Sequence, residues 1–142
     1  MTDATCKTNT NTTTSVLSRD DVQLLTEIGF VGIGRKDPAR AATLFRALCV
    51  LRPQSPFPYT GLAIALMSGG RPGEAAALLQ AFDTAMPGDV AVQTYLGLAL
   101  SLSGHGGKAN TVLKNVVRSS KATEPEKGLA RALLAQGICA VH

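Results

Sequence analysis

Few residues of this chain have the types and spacing for covalent chemistry. There are two histidines, His105 and His142. His105 stands in Gly104-His105-Gly106-Gly107, and neither histidine belongs to a metal-spaced or nucleophile–base arrangement. Gly104-x-Gly106-Gly107-Lys108 resembles a phosphate loop only loosely. It lacks the Gly-Lys-Ser or Gly-Lys-Thr ending and a preceding strand, and it reads as a turn between helices. Cys6, Cys49 and Cys139 follow no CxxC or zinc spacing; Cys49 and Cys139 fall among apolar residues and read as small hydrophobes. Asp20, Asp21, Glu124 and Glu126 sit at expected helix starts, where the positive end of the helix dipole favours carboxylates. The expectation is a protein that is not an enzyme and holds no metal or cofactor.

What remains is the chemistry of non-covalent binding. Counted from Val22, Pro56 and Val90, offsets 2, 5, 9 and 12 fall on one face of a helix. They select Gln23, Thr26, Phe30 and Ile33; then Phe57, Thr60, Ile64 and Met67; then Ala91, Thr94, Leu98 and Ser101. Phe30, Ile33, Phe57, Ile64, Met67 and Leu98 offer an apolar trough, and the hydroxyls offer adaptable hydrogen bonds. An amphipathic helix or an extended segment of another protein could lie there. The competing reading is that some of these residues close a short array and pack internally.

The elements that must position this face are written in a repeat. Leu62-Ala63-x-Ala65-Leu66, Gly70, Ala75 and Leu79 recur 34 residues later as Leu96-Gly97-x-Ala99-Leu100, Gly104, Ala109 and Leu113. A weaker copy, Ile28-Gly29, Ala41, Phe45 and Pro53, lies 34 residues before Leu62-Ala63, Ala75, Leu79 and Pro87. This period, with small residues at these offsets, is the tetratricopeptide (TPR) signature of paired helices. Ala63 and Gly97 let the first helix of a pair, helix A, approach the second, helix B; Ala75 and Ala109 do so from helix B. Gly70 and Gly104 stand just past helix A, where a positive φ is wanted. Pro38 and Pro72 fall in the first turn of helix B, where a missing N–H costs nothing. Pro53 and Pro87 close helix B. Tyr59 reads as a core aromatic.

This places helices over about 19–34, 38–51, 56–69, 72–85, 89–103 and 106–119. Thr123-x-x-Glu126 is a capping box that opens a terminal helix over about 125–140, with Leu129, Ala132, Leu133 and Ala135 apolar. The expected organisation is a polar, disordered tail over 1–18, repeats over about 19–53, 54–87 and 88–121, and a capping helix, with 19–142 as one all-α domain. Aromatics make up only 4% of the 142 residues, and strand-type alternation is absent, as an all-α chain requires. The net charge of +4 is too mild to announce nucleic-acid binding. Arg35, Lys36, Arg40, Arg46 and Arg52 do cluster against Asp37 alone, and read as a solvated helix face. With no apolar run near 18 residues and no apolar leader before Ser15, neither a membrane span nor a signal peptide is expected. An odd cysteine count without a framework suits a reducing compartment, so a cytoplasmic location is expected.

One phrase is more particular. Phe45-x-Ala47-Leu48-Cys49-Val50-Leu51, followed by Tyr59-x-Gly61-Leu62-Ala63, resembles the TPR chaperones of bacterial type III secretion systems over about residues 19–120. The resemblance implies a cytoplasmic all-α protein of three repeats. Such a protein holds a protein partner, namely a secreted subunit, a co-chaperone or a small regulator, and keeps it soluble before secretion or assembly. Homodimers and heterodimers are both open. A scaffold or adaptor sequestering a regulator of secretion or transcription would use the same groove. A weaker alternative is a basic adaptor on nucleic acid through Arg35, Lys36, Arg40 and Arg46.

Residues 1–15 are rich in threonine and lack periodicity, so they contribute no apolar face to a core. Their deletion is expected to leave helicity and the melting midpoint unchanged by circular dichroism. A large loss of stability would show instead that the tail docks onto the domain.

Overall fold

The computed structural model describes residues 37–135, and everything structural below concerns that span. It contains six helices and no strand: α1 Pro38–Leu51, α2 Pro56–Ser68, α3 Pro72–Ala85, α4 Val90–Leu102, α5 Gly106–Arg118 and α6 Glu124–Ala135. In the repeat nomenclature α2 and α4 are helices A, and α1, α3 and α5 are helices B. The expected helix over 19–34 and the tail over 1–18 lie outside the described residues, as does the end of the terminal helix beyond Ala135.

Local chemistry fixes these boundaries. α1, α2 and α3 each begin with proline, whose fixed φ suits the first turn. The Asp37 carboxylate accepts from the Arg40 N–H at 3.3 Å, and the Asp89 carboxylate from the Val92 N–H at 2.9 Å. The capping box at α6 is formed: the Thr123 N–H donates to Glu126 Oε2 at 2.8 Å, and the Glu126 N–H points at Thr123 Oγ1 at 3.5 Å. Gly70 and Gly104 have φ of +79° and +85°. Each ends helix A with the same pair of bonds. The Arg71 N–H reaches back to Leu66 O at 2.8 Å and the Gly70 N–H to Met67 O at 3.1 Å. The His105 N–H reaches Leu100 O at 2.8 Å and the Gly104 N–H reaches Ser101 O at 3.3 Å. A side chain at either glycine would strain a turn that the array uses twice.

The core keeps the period of 34. Ala41, Ala75 and Ala109 are buried in successive helices B, as are Phe45, Leu79 and Leu113, and Leu48, Phe82 and Val116. Helices A answer with Leu62 and Leu96, Ala63 and Gly97, Ala65 and Ala99, and Leu66 and Leu100, all buried. Two glycines set the approach. A Cβ on Gly97 would stand 2.5 Å from Leu113 Cδ2, and a Cβ on Gly61 would overlap the Phe45 ring. Gly61 was legible only as part of the family-like phrase; its partner is in the preceding helix pair.

Each helix packs on the next, and beyond that α2 touches α4 and α4 touches α6. The B helices do not touch one another. The two layers therefore differ in spacing, close within α2, α4 and α6 and splayed within α1, α3 and α5. That difference bends the array with the A layer on the inside. In α6 the buried residues are Ala130 and Leu133. Of the other apolar residues of this helix, Leu129, Ala132 and Ala135 are exposed. The helix rolls so that Ala130 and Leu133 meet the array, while Leu129 stays partly exposed beside α2 and α4.

Ala109 is fully buried, and close packing leaves little room for a larger side chain there. Ala109→Leu is expected to cost about 1–3 kcal/mol through overpacking. A thermal melt of the variant checks this, and an unchanged midpoint would contradict the register.

Candidate partner-binding groove

The A helices are built differently from the B helices. α2 reads Pro-Phe-Pro-Tyr-Thr-Gly-Leu-Ala-Ile-Ala-Leu-Met-Ser and is apolar around nearly its whole circumference, whereas α5 carries its apolar residues on one side. A helix apolar all round needs cover on all sides. α1 and α3 cover one side of α2. On the other, Phe57 remains 60% exposed.

Phe57 borders a cavity of about 410 Å³ between α2, α4 and the start of α6. Pro56, Phe57, Thr60 and Ile64 form one wall. Asp89, Ala91, Thr94 and Tyr95 form the second, and Pro125, Glu126 and Leu129 the third. The structure thus brings together Phe57, Thr60, Ile64, Ala91 and Thr94 of the expected face. Met67 and Leu98 do not line the cavity; they are half-buried and packed against the core. Ser101 is buried. Gln23, Thr26, Phe30 and Ile33 lie outside the described residues.

The hydroxyls behave differently from the expectation. Thr60 donates to Phe57 O at 2.9 Å, Thr94 to Val90 O at 2.8 Å and Ser101 to Gly97 O at 2.9 Å. In a helix the nearest acceptor for such a hydroxyl is the carbonyl of the preceding turn. They are satisfied there, so their methyl groups, rather than free hydroxyls, are what Thr60 and Thr94 contribute to the cavity. The sequence reading missed Pro56, Tyr95, Asp89, Pro125, Glu126 and Leu129. The last three belong to α6, which stands outside the repeat period and so outside any counting by offsets.

Other groups with potential chemistry are accounted for elsewhere. Tyr59 is half-buried, its ring centroid 4.6 Å from that of Phe82, which agrees with its reading as a core aromatic. Burial pushes the Cys49 thiol up from 9.0 to about 12, with the neighbouring Arg46 guanidinium pulling the other way. Burial also raises the Tyr59 hydroxyl, and Cys49 adds to that rise. Among the described residues no cluster of His, Cys, Asp and Glu could hold a metal ion, and no helix is long and apolar enough to cross a membrane. Of the basic stretch, Arg40 pairs with Asp37 at 3.4 Å and Arg46 is exposed.

With this geometry in view, comparison with known proteins is informative about the fold. The structure is similar to the Sgt2 TPR domain from Aspergillus fumigatus, with a TM-score of 0.68, 17% identity, and coverage of 81% of this chain and 78% of that one. The fold is a tetratricopeptide-repeat array. It is also similar to a T3SS complex from Aeromonas hydrophila, with a TM-score of 0.70 at 19% identity over 87% of this chain and 83% of that one. The type III secretion translocator chaperone SycD of Yersinia enterocolitica matches with a TM-score of 0.68 at 18% identity, over 89% of this chain and 90% of that one. Type III secretion chaperones thus stand among the structures the array resembles. No protein-family model matches the sequence, and no curated protein does.

Cys49 offers a check on the packing beside this layer. Its ordinary value of 9.0 holds in the unfolded chain, and the folded value is about 12. The folded protein therefore keeps the proton longer; this contribution to stability is complete below about pH 9 and is lost as pH rises towards 12. Alkylation of Cys49 by iodoacetamide at about pH 8, followed by peptide mass spectrometry, is expected to run at least about tenfold slower in the folded than in the urea-unfolded protein.

Proposed function

We propose that this chain is a chaperone-type binding protein that holds a component of a type III secretion system against its concave A-helix layer and keeps it soluble before secretion or assembly. The observation that carries the proposal is the exposed Phe57 at the mouth of an apolar cavity built by α2, α4 and α6. A large ring left in water beside other apolar side chains is the arrangement of an unfilled protein-binding site. The likeness to SycD and to the Aeromonas complex supports the secretion setting, as does the Phe45 to Ala63 phrase. On this reading residues 1–18 form the tail, the repeats run over about 19–53, 54–87 and 88–121, and Gln23, Phe30 and Ile33 extend the trough beyond Phe57 and Ile64. Met67, Leu98 and Ser101 support that trough from behind. The protein works in the cytoplasm and performs no catalysis.

The comparable likeness to the Sgt2 TPR domain supports a second reading, a scaffold or adaptor that sequesters a regulator through the same face. The identity of the co-purifying protein separates the two.

Ile64 lines the cavity, so Ile64→Glu places a charge in a surface that binding would desolvate. It is expected to weaken partner capture by more than about tenfold. Arg40→Glu, on α1, is expected to change capture little. Affinity purification with both variants, after circular dichroism shows each folded, is the test. Retention of the partner by Ile64→Glu and its loss with Arg40→Glu would move the site to the basic outer layer.

A further inference from the structure

The cavity has a sign, and it is opposite to that of the chain. The protein carries a net charge of +4, yet the cavity lining contains Asp89 and Glu126 and no lysine, arginine or histidine. The two carboxylates approach from different helices. Asp89 caps α4 and Glu126 stands in the first turn of α6. A shallower depression beside the cavity is lined by both, together with Lys121 and Thr123. Neither carboxylate has an ion-pair partner among the described residues; the ion pairs there are Arg40–Asp37, Arg71–Glu74 and Arg131–Glu124.

Each carboxylate uses an oxygen at home. Asp89 Oδ1 accepts the Val92 N–H and Glu126 Oε2 accepts the Thr123 N–H. A carboxylate accepts through both oxygens, so each keeps capacity for an outside donor. The rings of Phe57 and Tyr95 share this lining, and aromatic faces attract cations.

Resting on the reading of this cavity as a protein-binding site, we propose that it selects a partner segment in which an apolar anchor is accompanied by a lysine or arginine. The apolar side chain fills the space between Phe57, Ile64 and Leu129. The cation lies at the rim between Asp89 and Glu126. An acidic segment is drawn to the protein as a whole but repelled from this cavity, so the local charge decides which stretch of a partner enters it.

The test uses the full chain and a phage-displayed library of random peptides, selected on the wild type with Ile64→Glu as counter-selection. Peptides that depend on Ile64 are expected to carry an apolar residue close to lysine or arginine. The tightest is then synthesised and measured by fluorescence anisotropy. The double variant Asp89→Asn, Glu126→Gln removes both charges while asparagine still caps α4 and glutamine still closes the capping box. Its affinity for the peptide is expected to fall about three- to tenfold. Replacing the peptide's own cation by methionine should produce a similar loss on the unaltered protein, so the outcome does not hinge on the variant's folding. Ile64-dependent peptides that are neutral or acidic overturn this inference and leave the groove standing. The absence of any Ile64-dependent peptide overturns the groove reading and this inference together.

Discussion

The contact on which the architecture depends is a bulky side chain of one helix seated where its neighbour has almost none. Leu113 lies on Gly97 and Phe45 on Gly61, with no room for even a Cβ at either glycine. Dense packing tolerates no slack at such points. Leu113 on Gly97 sets how deeply the two helices of one pair close, and Phe45 on Gly61 sets how closely one pair meets the next. The layer of α2, α4 and α6 is tighter than the outer one, whose helices do not touch. Curvature follows from the difference in spacing, and a concave face follows from curvature. The cavity is thus a distant product of residues that do not line it.

The same constraint explains why the A helices are apolar on both sides. One side must meet the B helices, and Leu62, Leu66, Leu96 and Leu100 do so. The other faces the inside of the curve, where, among the described residues, α6 closes part of the opening. α6 meets the array through Ala130 and Leu133, so Leu129 is left to join Phe57 and Ile64 around the cavity. A capping helix usually serves to hide the last repeat's exposed side. Here it also supplies a wall.

Much of this was legible in the sequence because turn chemistry is local. The boundaries at Pro38, Leu51, Pro72 and Ala85 coincide with those expected from proline and glycine punctuation, and the box at Thr123 and Glu126 closes as written. Gly70 and Gly104 take the positive φ that their position demanded. The face of the groove was legible only in part. Counting offsets finds Phe57, Thr60, Ile64, Ala91 and Thr94, since they repeat with the helices. It cannot say that Met67 and Leu98 pack inward, because half-burial depends on the angle between layers. Nor can it see that threonine hydroxyls turn to the carbonyl of the turn before, a choice made within one helix and invisible in composition. The roll of α6, which exposes Leu129 rather than Ala130, is decided by tertiary contact alone.

α2 and α6 do not pack against each other; α4 stands between them. In an array bound mainly through neighbouring helices, the end units are free to fray without disturbing the middle. Any occupant that touches Phe57, Tyr95 and Leu129 at once ties α2 to α6 directly. It therefore works as a mechanical brace as well as a guest, converting a chain of loosely linked modules into a body that opens all together or not at all. Departure of such an occupant and loosening of the ends then become one event.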